Sequence, residues 1–560
     1  MRPTVDPVRE TSPGLPFDLQ SPRPVSSTAH DVFACNGRRG PHQSADAGQV
    51  ARSDAASGPA DRKAIDSLLL GELRPVRHQP RPRRTSRGEG TVEGRVLPSR
   101  RSGAAGRKPG ARRREPCGWR ISFLMNSRTL DVPAGWMDRP VGEPGFWALQ
   151  SGAVFLNHGS FGSCPRPVLA AQQALRERME MQPVRFFVDD FEGLWDAARR
   201  ELARFVGAVP ADLVFVTDAT EGVNTVLRSL RLQGGDELLV TDHEYNACRN
   251  ALDVAAAAAG ARVVVAAVPF PLTSPAEVVE AVLRRVTKRT RLALLDHVTS
   301  ATGLILPVEQ LVRELDARGV DTLVDGAHGP GMLPLQLSRL GAAYYTGNCH
   351  KWLCAPKGAA FLHVRPDRQK RIRPLVISHG ANSPRTDRSR FLLEFGWMGT
   401  RDPSAWLVVP EALRCVGGLL PGGWPDVMRR NRTLALAARR LLCETLELSP
   451  PAPDEMIGAM VTLPLPPSQA PSHSAMLNGL DPLRWDLLRR FQIEVPVFPW
   501  PSPPQRLLRI SAQLYNALPQ YAQLADALKS LLRKGPGRRQ ACPRSPRTRH
   551  TASRAKTHLY

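Results

Sequence analysis

The stretch DLVFVTDATEGVNTVLRSL, residues 212–230, decides how this chain folds. A run rich in β-branched residues, LVFVT (213–217), meets Asp218 and passes into a segment over 219–230 whose apolar positions recur at helical spacing. The unit then repeats. ELLVT (237–241) precedes a helix over 245–259, RVVVAAV (262–268) one over 276–286, and RLALLDH (291–297) one over 308–317. DTLVD (321–325) leads on to AAYYT (342–346). Near-continuous apolar strands separated by amphipathic helices predict an α/β fold with a large, doubly wound parallel sheet covered on both faces. Ligands of such sheets gather outside the carboxyl ends of the strands, which brings residues remote in sequence round one site.

Four strand ends carry chemistry. After the first, Thr217, Asp218 and Thr220 supply cap-type side chains, and Gly222 permits close approach. A helix N-terminus there suits a phosphate, although an ordinary capped helix reads the same way. After the second, TDHEY (241–245) offers His243 and Tyr245, an aromatic able to stack on a flat ligand or to pack at a rim. After DTLV, DGAHGPG (325–331) places Asp325 at a strand terminus with His328 close behind. A buried carboxylate needs a cationic or strong donor partner, and a protonated ring nitrogen would serve; the alternative is a helix cap. Finally GNCHKWLC (347–354) sets Lys351 between the strand-like runs 342–346 and 359–364, where desolvation can depress an amine's pKa and make it a nucleophile, although alone it reads as an ordinary surface turn lysine. Neither GxxxxGK[ST] nor GxGxxG occurs, so a nucleoside triphosphate or nicotinamide cofactor has no support. A phosphate cup, a stacking aromatic, a carboxylate and a lysine together are the partners pyridoxal 5'-phosphate requires.

Seven segments then carry a family resemblance: FLNHGSFG (155–162), 212–230, GDELLVTDHEYNA (235–247), HVTSATGLILPV (297–308), VDGAHGPG (324–331), GNCHKWLCAPKGAAFL (347–362) and WMGTRDPSAWL (397–407). In this order they resemble the class V aminotransferase group of fold-type I pyridoxal-phosphate enzymes and, within it, isopenicillin N epimerase-like proteins. The resemblance covers residues from about 150 to 515. It implies that Lys351 is the Schiff-base lysine, that Asp325 pairs with the pyridine nitrogen, and that His328 lies near the phenolic oxygen or ring edge. It implies Ala219, Thr220 and His350 around the phosphate and Tyr245 on the ring, with His243 as a second stacking candidate. Thr400 would reach the phosphate of a partner subunit's cofactor, which implies a homodimer. Asn157 and His158 would line the substrate side, and Arg509 would bind the substrate carboxylate as a planar fork.

The chain also departs from the family's cysteine desulfurases. Thr299 and Ser300 stand where those have a Ser-Asn stretch, and no cysteine occurs from Arg365 to Trp397. Cys349 and Cys354 flank the lysine too closely to serve and read as packing cysteines, so persulfide transfer is disfavoured.

Charge divides the 560 residues unevenly. Residues 1–124 hold 23 Lys/Arg against 12 Asp/Glu, and residues 534–560 hold 8 against none, so most of the net +24 lies at the ends. Both ends have compositions that cannot offset ordering entropy, and both are expected to be disordered basic extensions. The first is read either as a nucleic-acid or membrane tail or as an extension of the reading frame upstream of Met125. Between them we expect a cofactor-binding domain over 125–399 and a smaller α+β domain over 400–533, with helices over 435–446 and 483–491 and strands MVTLPL (460–465) and LLRIS (507–511). Nine scattered cysteines without a CxxC pair give no metal ligand set and fit a cytoplasmic chain. The longest apolar tract, 254–269, is broken by Gly260 and Arg262 and is too short to span a bilayer.

The expected function is an enzyme acting at the Cα of an amino acid or amino-acid-containing peptide, by epimerisation or transamination. A C–S lyase is the alternative. A basic nucleic-acid-binding protein is the distant one, and no nucleic-acid motif accompanies the basic ends.

Overall fold

The computed structural model describes residues 135–143, 145–468 and 481–532. The basic ends, expected to be disordered, lie outside the described residues.

Seven strands form the central sheet: β1 (Leu213–Val216), β2 (Glu237–Thr241), β3 (Arg262–Ala266), β4 (Thr290–Asp296), β5 (Asp321–Asp325), β6 (Tyr344–Asn348) and β7 (Ala360–Val364). Their order is β3-β2-β4-β5-β6-β7-β1. The run from β3 to β6 is parallel, as the sequence pattern requires. Only β7 departs from the expected parallel sheet, pairing antiparallel with both β6 and β1. The physical reason is length, because a parallel return needs a crossover of about a dozen residues or more. The connection from Asn348 to Ala360 instead folds back directly and carries Lys351.

Alternate residues of each strand enter opposite cores. Val214, Val216, Leu238, Val240, Leu292 and Leu294 face one, while Leu213, Phe215, Leu239, Ala293 and Leu295 face the other. Helices α3 (Ala219–Ser229) and α4 (Asn246–Ala259) close the first through Val223, Val226 and Leu252. The second is closed by α2 (Phe191–Phe205), α5 (Pro275–Leu283) and α6 (Val308–Asp316), and α1 (Arg166–Met181) precedes them in the chain. Burial on both faces is why these strands read as apolar runs without alternation.

Towards the C-terminus, β8 (Met460–Leu465), β9 (Val497–Pro499) and β10 (Arg506–Ser511) form an antiparallel sheet in the order β9-β10-β8. Helices α7 (Trp424–Leu446) and α8 (Leu518–Leu532) pack together beside it. α7 begins well before the expected residue 435, with Pro425 in its first turn, where a missing N–H costs nothing. Leu434, Leu442, Val461 and Leu508 belong to the same apolar core as Leu213 and Phe215. Among the described residues no helix is long and apolar enough to cross a membrane.

Gly222 fixes how closely α3 lies on the sheet. A Cβ there would sit 2.1 Å from Thr346 Oγ1, and that hydroxyl is held by donating to the Phe361 carbonyl at 3.0 Å. Gly222→Ala is therefore expected to destabilise the fold by about 1–3 kcal/mol through overpacking. A denaturant melt unchanged from wild type would contradict this packing.

Candidate active site

A cavity of about 340 Å³ opens at the carboxyl ends of the parallel strands. β4, β5 and β6, with the turns that follow β1, β2, β4, β5 and β6, each contribute to it. Ala219, Thr220, Tyr245, Asp325, His328, His350 and Lys351 all line it. Seven of the residues singled out from sequence thus meet at one place.

Lys351 follows β6 by three residues. Its Nζ lies 3.1 Å from His328 Nε2, and the Trp352 indole N–H donates to His328 Nδ1 at 3.1 Å. Burial holds His328 well below the ordinary imidazole range, so the ring is neutral. A neutral ring that accepts at Nδ1 carries its proton on Nε2, and the neighbour it can then donate to is an uncharged amine. Desolvation, with the Arg509 charge next in weight, pushes Lys351 down to about 8. The geometry suits the neutral, nucleophilic amine, and the lowered pKa makes that form the majority above about pH 8 instead of above the ordinary lysine value.

Asp325 ends β5 and is 3% exposed. Its Oδ1 accepts from the Ala327 amide at 2.9 Å and its Oδ2 from the Cys248 thiol at 3.1 Å. These two donors orient the carboxylate without neutralising it.

The third group lies at the start of α3. Asp218 caps the helix by accepting from the Glu221 amide at 2.8 Å, and Asn348 Oδ1 accepts from the Ala219 amide at 2.9 Å across the sheet. Thr220 stands in the first turn, where backbone N–H groups have no partner within the helix. His350 faces the same region. Burial pushes its pKa down to about 4, and its Nδ1 is buried without a partner. An orphaned ring nitrogen beside a helix N-terminus marks a place for an acceptor-rich group.

The remaining sequence candidates lie off the cavity wall. His243 packs edge-on against Trp500, with Nδ1 at 2.7 Å from Thr302 Oγ1 and Nε2 at 3.0 Å from the Val268 carbonyl. Both ring nitrogens are occupied, whereas Tyr245 is 40% exposed at the rim. Asn157 is turned toward Ser160 and Glu494. His158, expected on the substrate side, lies instead behind the lysine, wholly buried. Its Nε2 is 3.0 Å from the Lys351 carbonyl and its Nδ1 2.8 Å from the Tyr515 hydroxyl. These two contacts, with the Trp352 ring 4.9 Å away, hold the imidazole there. Thr400 is exposed and away from this cavity.

Arg509, on β10, reaches the cavity through its partners. It donates to Ser160 Oγ at 2.9 Å and to the Ser300 carbonyl, both on lining residues. It is 5% exposed, its Nε has no partner, and burial pushes it down to about 10. Among the described residues no carboxylate pairs with it. A buried guanidinium in that condition calls for an anionic ligand.

Sequence reading missed Asn348, Trp352, Asp296 and Glu244. Asp296 was within reach, since RLALLD ends in a carboxylate just as DTLVD does. The other three act through contacts that no spacing encodes.

The donor set fits pyridoxal 5'-phosphate: a neutral amine for the aldehyde, an oriented carboxylate for the ring nitrogen, and a helix N-terminus with an orphaned imidazole nitrogen for the phosphate. The fold and site are those of a fold-type I pyridoxal-phosphate enzyme. Residues 160–418 match the family model for class V aminotransferases. Isopenicillin N epimerase of Streptomyces clavuligerus is 37% identical over 397 residues, which is 68% of this chain and 96% of that protein. A probable chloroplastic L-cysteine desulfhydrase of Arabidopsis thaliana is 31% identical, over 68% of this chain and 83% of that protein. Among solved structures, the cystine C–S lyase C-DES in complex with cysteine persulfide aligns with a TM-score of 0.55 at 21% identity, covering 68% of this chain and 97% of that one. The chain belongs to the class V aminotransferase family, and it is a pyridoxal-phosphate enzyme close to isopenicillin N epimerase.

Proposed function

We propose that this enzyme moves the Cα proton of an amino acid or amino-acid-containing peptide in an epimerisation. The observation that carries the reading is the Lys351 amine, 3.1 Å from the neutral His328 ring, in a cavity lined by Ser160 and Ser300, to which the buried Arg509 donates. When bound, pyridoxal 5'-phosphate withdraws electrons from the substrate's Cα. Everything else falls to the chain. Lys351 would hold the cofactor and then take the Cα proton from one face; inversion requires that a second acid deliver a proton to the opposite face. Asp325 would face the ring nitrogen, His328 the ring edge and Tyr245 the ring face. Ala219, Thr220 and His350 would hold the phosphate, and Arg509 would clamp the substrate carboxylate. His158 and Asn157 support Lys351 and Ser160 from behind.

Similarity to isopenicillin N epimerases at 37% and 39% identity favours epimerisation over transamination. A C–S lyase is the second reading, favoured by relatives described as L-cysteine desulfhydrases. Free, buried cysteines are consistent with a cytoplasmic enzyme. Exposed Met181, Val184 and Val188 are consistent with a homodimer in which Thr400 serves the partner's cofactor.

The readings separate by product. Amino acids, peptides with a free α-amino acid end, and cysteine conjugates are incubated in deuterated water. Epimerisation yields the D-isomer with deuterium at Cα, transamination a keto acid, and C–S lysis pyruvate with a thiol or sulfide. Pyruvate as the main product across the active substrates would replace the first reading by the second.

A further inference from the structure

Behind the carboxylate facing the ring nitrogen lies a second acidic layer. β4 and β5 pair in register at Asp296 and Asp325, so two carboxyl groups leave adjacent strand ends. Glu244 arrives from the turn after β2, and its carboxyl group lies against that of Asp296. Both groups are withdrawn from solvent: Asp296 is 2% exposed, and both Glu244 carboxyl oxygens are covered. Yet among the described residues neither Glu244 oxygen nor Asp296 Oδ2 has a hydrogen-bond partner. The available donors, the Ala327 amide and the Cys248 thiol, go to Asp325. Two buried carboxyl groups facing each other without a donor hold together only if a proton lies between them.

We propose that Glu244 and Asp296 share one proton, and that this acid pair keeps Asp325 as the anion presented to the cofactor's ring nitrogen. The inference rests on the reading that the ring nitrogen lies against Asp325. Glu244 and Asp296 are then positioning residues acting through Asp325. Charge arithmetic supports one proton. Three ionised carboxylates would face a single ring cation, whereas a fully protonated trio would leave the ring nitrogen without a counter-ion. The charged and titratable groups facing the pair are Asp325, Cys248 and, at the cavity, Lys351. Desolvation first, then repulsion from Asp296 and Asp325 for Glu244 and from Asp325 for Asp296, raises both acids above the carboxylate range. For acids raised in the folded state, the stabilising proton is fully present below the ordinary carboxylate pKa and is lost as pH climbs through the raised value. The consequence is an alkaline limb. Asp296 lines the cavity, so losing this proton places a second negative charge beside the ring site.

Infrared spectroscopy of the cofactor-loaded full chain tests this. At pH 7 the wild type is expected to show a protonated-carboxyl C=O stretch that disappears in Glu244→Gln and in Asp296→Asn. It should persist in Asp253→Asn, which alters an exposed acid paired with Arg249. Between the ordinary carboxylate pKa and the raised value, where the folded pair holds the proton and the unfolded chain does not, the unfolding constant of wild type should rise by about tenfold per pH unit relative to Glu244→Gln. The wild-type spectrum decides even if a variant misfolds. Absence of the band in wild type, or its survival in both variants, overturns the proposal. So does a stoichiometric divalent metal on Glu244, Cys248 and Asp325, whose ligand atoms lie within 4.8 Å of one another and would be satisfied without a proton. Either failure leaves the cofactor assignment intact, because that is read separately from the colour of the protein.

Discussion

Lys351→Ala is expected to abolish the visible absorbance of the bound cofactor and to lower kcat by at least about 10³-fold, the scale of a lost nucleophile and general base. The effect should be local. Lys351 Nζ contacts His328, and the strand and loop that carry the residue are held by other groups, including the bond from His158 to the Lys351 carbonyl. Circular dichroism and the melting curve should therefore stay close to wild type while the colour is lost. Wild type offers a second test through pH. With the amine at about 8, capture of pyridoxal phosphate by cofactor-free enzyme should slow by about tenfold per unit below that value, as the protonated amine cannot attack. A Lys351→Ala protein that stays yellow and turns over at wild-type rates would remove the assignment, and capture that ignores pH between 6 and 8 would remove the account of the neutral amine.

What the sequence disclosed, and what it withheld, follows from whether a feature is local. The strands of the central sheet were legible because burial on both faces leaves apolar runs, and helix phasing supplied the crossovers. Lys351, Asp325 and Thr220 were legible because each sits beside a strand end. β7 was foreseen as a strand but not as antiparallel, since direction depends on the length of the connection carrying Lys351. Asp296 and Glu244 gain meaning only when β4 lies in register beside β5 and the turn after β2 closes over them. His158 shows the opposite failure. Its motif was recognised, but the Tyr515 hydroxyl and the Lys351 carbonyl, remote in sequence, hold the imidazole under the lysine. Between His243 and Tyr245, sequence had no means of seeing the partners far off in the chain, Thr302 and Val268, that occupy both nitrogens of His243.

Asp325→Asn should separate holding the cofactor from using it. The amide keeps the shape of the carboxylate and can still accept from the Ala327 amide, so the protein should fold and remain coloured through Lys351. It cannot serve as counter-ion to a protonated ring nitrogen, and its NH₂ would present a donor either to the cavity or to Cys248, which itself donates at this position. The ring would then lose its protonated state at neutral pH, and with it the capacity to accept charge from the substrate's Cα. A loss of about 10²–10³-fold in kcat follows, the range for removing a preorganised electrostatic partner, with KM changed far less because Arg509 still binds the substrate carboxylate. Arg509→Gln should show the reverse pattern, a raised KM with a smaller fall in kcat. If Asp325→Asn lowered affinity for substrate and left kcat alone, the carboxylate would belong to substrate binding, and the ring nitrogen would have to face another wall of the cavity.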